Sequence, residues 1–133
     1  MNRLPFHGAL KVLVESDIAA AIRLARHAAE QIGFSKTDVG YISTAAAELA
    51  SNLFIHAQDG EFEVHTNSMP AGICLQTRDS GPGIADISLA LKEGYSTAGG
   101  LGCGLPGVKR LMDTLQIDSS PDRPTFIRAE KWI

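Results

Sequence analysis

Apolar residues along this chain recur with two different periods, and the changes of period divide it into elements. Residues 7–15 alternate apolar and polar positions imperfectly, with Ala9, Val12 and Val14 in the apolar phase, and predict a first strand. From Ile18 onward the spacing becomes three and four. Ile18, Ala21, Ile22, Ala25 and Ala29 fall near one face of a helix running to Ile32, with Asp17 as its cap and Gly33 as its stop. Ser35-Lys36-Thr37-Asp38 then offers an N-cap with an acidic residue three positions on. It opens a long helix over about 37–57, whose expected buried residues are Val39, Ile42, Ala46, Leu49, Leu53 and Ile55. Ala45-Ala46-Ala47 lets another element approach that helix closely.

Past the Asp59-Gly60 turn the period returns to two. Residues 61–66 and 73–78 predict two strands joined through Met69-Pro70-Ala71-Gly72, a hairpin. A loop and a short helix over about 86–92 precede a glycine-rich stretch, and a helix is expected over 105–113. Two further strands, near 115–119 and 125–132, flank Ser120-Pro121-Asp122-Arg123-Pro124. The order β-α-α-β-β-α-β-β predicts an α+β fold: a two-layer sandwich whose mainly antiparallel sheet is covered on one face by three helices. Two adjacent strand pairs exclude the repeated βαβ order of a doubly wound sheet.

At 133 residues the chain is most simply one domain over 1–133, long enough to bury a core. A net charge of -3 gives no basis for nucleic acid as a partner. No apolar run approaches the roughly 20 residues that span a bilayer, so no membrane partner is expected. Residues 1–6 lack the apolar centre of a signal peptide, and two cysteines, Cys74 and Cys103, make no disulfide framework. The cytoplasm is the expected compartment.

Three groups of residues carry chemistry. Glu48 and Asn52 lie four apart on the long helix and so share a face, with His56 a further turn on. A carboxylate and an amide so placed suit a general base toward a hydroxyl and a neutral oxygen ligand to Mg2+. A solvated helix face would explain the pair in isolation, but its neighbours Ala45, Ala46, Leu49, Ala50 and Leu53 are apolar. Asp79, directly after a predicted strand, can accept a hydrogen bond from an exocyclic amine, and Gly81 and Gly83 would let a flat ring approach the backbone. An ordinary Asp/Gly turn is the plainer alternative. In the third group, Gly99-Gly100-Leu101-Gly102-Cys103-Gly104-Leu105-Pro106-Gly107 strips side chains from a loop that runs into a helix, as either a hinge or an anion cradle. Taken together the three make an adenine, Mg2+ and phosphate pocket in compatible order.

The segments Glu48-Leu49-Ala50-Ser51-Asn52, Asp79-Ser80-Gly81-Pro82-Gly83-Ile84 and Gly102-Cys103-Gly104-Leu105-Pro106-Gly107 resemble the N box and two glycine boxes of the GHKL ATPase/kinase superfamily. The length, residues 94–113 and the terminal Lys131-Trp132 are similar to its anti-sigma-factor serine/threonine kinases, in particular the switch kinases of bacterial stressosomes. The resemblance implies ATP and Mg2+ as cofactors, with Glu48 as catalytic base and Asn52 as metal ligand. It implies Asp79 on the adenine amine, Gly81, Gly83 and Ile84 beside the base, and Thr125 near it. Gly100, Gly102, Cys103, Gly104, Leu105 and Gly107 would line the phosphates, under a lid over about 84–101. It also implies STAS-domain proteins as substrates and scaffold, and a downstream phosphatase or other effector bound after release. Pro124 stands before Thr125 where the family usually has glycine, and residues 94–108 hold no Lys or Arg. Lys109 is thus the nearest candidate cation for the phosphates. Cys103 serves as a small spacer or a redox group. An anti-sigma factor of the same fold, and a binding module that nucleotide merely tunes, are the rival readings. A detached histidine-kinase ATP domain lacks support, since no dimerisation helix pair with a phosphoacceptor His is present.

Overall fold

A computed structural model describes residues 6–56, 59–79, 104–119 and 125–133. Five strands, β1 (His7–Lys11), β2 (Glu61–Ser68), β3 (Ala71–Arg78), β4 (Thr114–Asp118) and β5 (Phe126–Trp132), form one sheet in the order β1-β2-β3-β5-β4. Every pairing among them is antiparallel. Three helices, α1 (Ser16–Ile32), α2 (Lys36–His56) and α3 (Leu105–Leu111), complete the described fold, and the sheet-and-helix sandwich expected from the sequence is the one observed.

Register decides which residues meet the helices. Phe62, Val64 and Thr66 of β2 lie opposite Thr77, Leu75 and Ile73 of β3, and Leu75 and Thr77 lie opposite Ala129 and Ile127 of β5. All are buried, and the apolar ones form one core with the helices. The helix layer reaches the sheet through small side chains. Ala21, Ala25, Ala28 and Ala29 of α1 and Ala45, Ala46 and Ala50 of α2 are fully buried, so the two backbones approach closely. The buried stripe of α2 is Val39, Ile42, Ala46, Leu49 and Leu53. Ile55 is 45% exposed, contrary to expectation: two residues beyond Leu53 is about 200° around the helix, off that stripe.

The first strand and first helix also depart from the sequence reading. The strand ends at Lys11, and its inward residues are Gly8 and Leu10, opposite Val64 and Phe62; Ala9 is exposed on the other face and Val14 is exposed. Asp17 lies inside α1 rather than at its cap. Its carboxylate accepts hydrogen bonds from the Leu13 and Val14 amides at 2.9 and 3.0 Å, turning the chain from strand into helix. These bonds outweigh slight burial and hold its pKa below the ordinary carboxylate value. The other signals act as read. Ser35 Oγ accepts from the Asp38 amide at 3.2 Å, and Gly33, at φ 102°, ends α1 with its N–H on the Ala29 and Glu30 carbonyls. The α3 helix stops at Leu111, short of 113, because Met112 is extended. The short helix expected near 86–92 lies outside the described residues.

Candidate functional site

Glu48 and Asn52 project from the second half of α2. Glu48 is 5% exposed, whereas Asn52 is half-buried. A carboxyl buried to this extent on an Ala- and Leu-lined helix is uncommon. The orientation of α2 fixes which end of the molecule these residues occupy. Its first turn lies at the carboxyl end of β5, where Asp38 is 4.0 Å from Lys131. From Asp38 to Asn52 the helix rises ~21 Å, comparable with the ~17 Å that β5 spans between Lys131 and Phe126. Its last turn leads through Gly60, whose carbonyl accepts from Val12, into Glu61, opposite Arg78. The second half of α2 therefore sits at the end of the sheet where β3 finishes and β5 begins.

Asp79 and Thr125 meet at that same end. Arg78 pairs with Phe126, and one residue beyond, the Asp79 amide donates to the Thr125 carbonyl at 3.1 Å. The Arg78 guanidinium lies 5.6 Å from the Phe126 ring centre, reinforcing the junction. Thr125 is buried, with its hydroxyl 2.8 Å from that of Ser119. Ser119 is a residue that motif reading does not single out. Its only sequence signal is a hydroxyl at a strand end.

Gly104 opens α3 at φ 64°, ψ -139°, a conformation that L side chains rarely adopt, which accounts for glycine there. Leu105, Pro106, Gly107 and Val108 are all buried, and α3 packs on α2. The last residue of α3 lies at the far end of the sheet, where Lys131 Nζ donates to the Leu111 carbonyl at 2.9 Å. Lys109 is exposed on α3. With Leu105, Pro106 and Gly107 buried, what the start of α3 can offer a ligand is backbone rather than side chain. Gly81, Gly83, Ile84, Gly100, Gly102 and Cys103 lie outside the described residues. The structure thus brings Glu48, Asn52, Asp79 and Thr125 to one end of the sandwich, on three elements separated in sequence, and α3, with Gly104, Leu105 and Gly107 in its first half, packs on α2.

The donor set fits the groups expected from the sequence. A buried carboxyl and an amide oxygen one turn apart suit a hard cation beside a reacting hydroxyl, and Asp79 beside a partly buried Thr-Ser hydroxyl pair suits a polar heterocycle. No helix among the described residues is long and apolar enough to cross a membrane.

The histidine kinase-like ATPase domain family matches residues 12–130. The serine/threonine-protein kinase RsbT of Bacillus subtilis is 40% identical over 126 residues, covering 93% of this chain and 95% of its own. The anti-sigma F factor of Caldanaerobacter subterraneus is 27% identical over 111 residues, 79% of this chain and 78% of its own. Among solved structures, the RsbU and RsbW domains of a Mycobacterium tuberculosis protein superpose with a TM-score of 0.65 at 17% identity. That match covers 97% of this chain and 32% of the other, so it speaks to the fold alone.

Proposed function

The chain belongs to the histidine kinase-like ATPase domain family, as a GHKL-type anti-sigma kinase, and from that premise we propose how its site transfers phosphate and to what. It is a protein serine/threonine kinase that binds ATP and acts by switching between protein partners. The finer reading is that the phosphoryl acceptors are Ser or Thr residues of STAS-domain proteins in the cytoplasm, which also serve as scaffold. Once released from them, the kinase engages a downstream phosphatase or other effector.

The observation that carries the residue assignment is Glu48, a 5% exposed carboxyl one turn from Asn52 at the end of the sandwich where Asp79 and Thr125 meet. In this reading Glu48 takes the proton of the acceptor hydroxyl. Its burial keeps water away and fixes its rotamer, so the proton acceptor is positioned before substrate arrives. Asn52 would hold Mg2+, which when bound supplies positive charge to the phosphate oxygens. Asp79 orients adenine, steadied by its backbone bond to Thr125, and Gly81, Gly83 and Ile84 flank the base. Gly100, Gly102, Cys103, Gly104, Leu105 and Gly107 present backbone N–H groups to the phosphates, with Lys109 at the rim.

Transfer of labelled γ-phosphate from ATP to a purified STAS partner tests the assignment. Glu48→Gln should lower kcat ~100-fold or more, the scale of general-base catalysis, with ATP affinity little changed. Equal transfer by wild type and Glu48→Gln would remove Glu48 from the role of base. Wild type that binds the partner yet labels nothing would remove the STAS assignment. The identity to anti-sigma F factors favours a second reading, in which this chain also sequesters a sigma subunit directly. A pull-down that recovers a sigma subunit would support it.

A further inference from the structure

The face of the sheet turned away from the helices carries a cluster that phosphotransfer does not use. Antiparallel register places His7 of β1 directly opposite His65 of β2, and Glu63 lies two residues before His65 on the same strand face. The two imidazoles stack, with ring centres 4.4 Å apart and planes inclined by 17°. Both direct Nε2 at one carboxylate oxygen: Glu63 Oε2 is 3.1 Å from His65 Nε2 and 3.5 Å from His7 Nε2. One ligand atom from each residue lies within 4.8 Å of the others.

We propose that His7, Glu63 and His65 form a binding site for a divalent transition cation of the zinc class, bridging β1 and β2. Two considerations carry this. The first is distance. In a tetrahedral zinc site with bonds near 2.0–2.1 Å, neighbouring ligand atoms are about 3.3–3.4 Å apart, and the two nitrogen–oxygen separations here bracket that value. All three ligand atoms lie within 4.8 Å of one another, so they need only draw together around an ion. Each imidazole has only to swing about its soft terminal torsion until its lone pair points at the ion rather than across the stack. The second is chemistry. Two imidazole nitrogens and one carboxylate oxygen suit Zn2+, Co2+, Ni2+ or Cu2+, whereas Mg2+ and Ca2+ take oxygen ligands. The site is therefore selective against the cation expected beside the nucleotide.

The surroundings agree with this. His7 is 60% exposed and His65 37%, so an ion can enter from solvent and keep water in its remaining position. Cys74 lies across from His65 in the next pair, but burial raises its pKa and Gln76 donates to its sulfur at 3.5 Å. The cation would join β1, an edge strand paired on one side, to the strand beside it.

The test is titration of untagged, nucleotide-free protein with ZnCl2 by calorimetry, and with CoCl2 followed by visible absorption. One equivalent should bind at micromolar affinity or better, and Co2+ should develop the ligand-field bands of a four- or five-coordinate ion. Loss of an outer-shell partner of a metal ligand already weakens sites about 10–100-fold, so His7→Gln and His65→Gln should each weaken Zn2+ binding by ~10-fold or more. Zn2+ should also raise the thermal midpoint of wild type and not that of His7→Gln, which alters an exposed edge residue and should fold. The proposal is overturned if wild type shows no saturable Zn2+ binding below about 100 μM. It is equally overturned if His7→Gln binds Zn2+ and Co2+ as wild type does, because the ion would then sit elsewhere.

Discussion

The two faces of one sheet solve opposite problems with alternate residues of the same strands. On β3, Ile73, Leu75 and Thr77 point into the helix layer and are nearly solvent-free, while Gln76 and Arg78 point the other way beside Arg128 and Phe126. The inner face is dry and filled to contact by small alanines and a few large side chains. The outer face carries polar pairs: Glu63 lies 3.1 and 3.5 Å from His65 and His7, and Arg128 lies 3.4 Å from Glu130. Side chains on the first face are held by shape and can move little. Those on the second are held by directional, solvent-weakened pairs that a ligand can re-aim. Rigidity on the inner face and adaptability on the outer face thus come from one strand pattern.

Substitution on either side should expose that difference. The largest effect is expected at Phe62, fully buried among the core residues: Phe62→Ala should lower unfolding free energy by ~3–5 kcal/mol in urea titration. Gln76→Ala, on the opposite face of the neighbouring strand, should cost less than about 0.5 kcal/mol. Comparable losses at the two positions would erase the distinction between the faces. Next comes overpacking. Ala46→Leu, at a fully buried position of the helix stripe, should cost ~1–3 kcal/mol, because the backbones there leave no space for three more carbons.

The smallest effect is expected at Asp17, where strand and helix layers join. Its folded-state pKa is depressed by the Leu13 and Val14 amides, so its stabilisation is present above the unfolded carboxylate pKa and is lost as pH falls through the folded one. Asp17→Asn should therefore be less stable than wild type near neutrality, and the two should converge in acid. A gap that widens on acidification would have the wrong sign.

Much of this fold was legible because period carries burial. The long helix, its Ser35 cap, the Gly33 stop and the Glu48/Asn52 face all follow from local spacing. The failures have local causes too. Asp17 reads as a forward cap, yet its carboxylate reaches back to Leu13 and Val14, and Ile55 is apolar like a core residue yet lies at a helical angle off the buried stripe. The site was legible as three motifs but not as a place. Asp79 and Thr125 meet only because β5 lies beside β3, and no short-range pattern specifies that pairing. The His7–Glu63–His65 cluster was invisible for the same reason: a one-residue slip of β1 against β2 would send His7 to the other face.

Lys131 has a consequence for how α3 is held. Its ammonium caps the last carbonyl of α3, lies 5.5 Å from the Tyr41 ring centre, and stands 4.0 Å from both Asp38 and Asp113. With seven residues, Pro106 and Gly107 among them, α3 is too short to persist as an isolated helix. Packing holds it instead: Leu105, Pro106, Gly107 and Val108 are buried against the rest of the fold, and this one ammonium group ties down its last residue. A ligand reaching Gly104 therefore meets a helix start already set in place when the chain folded.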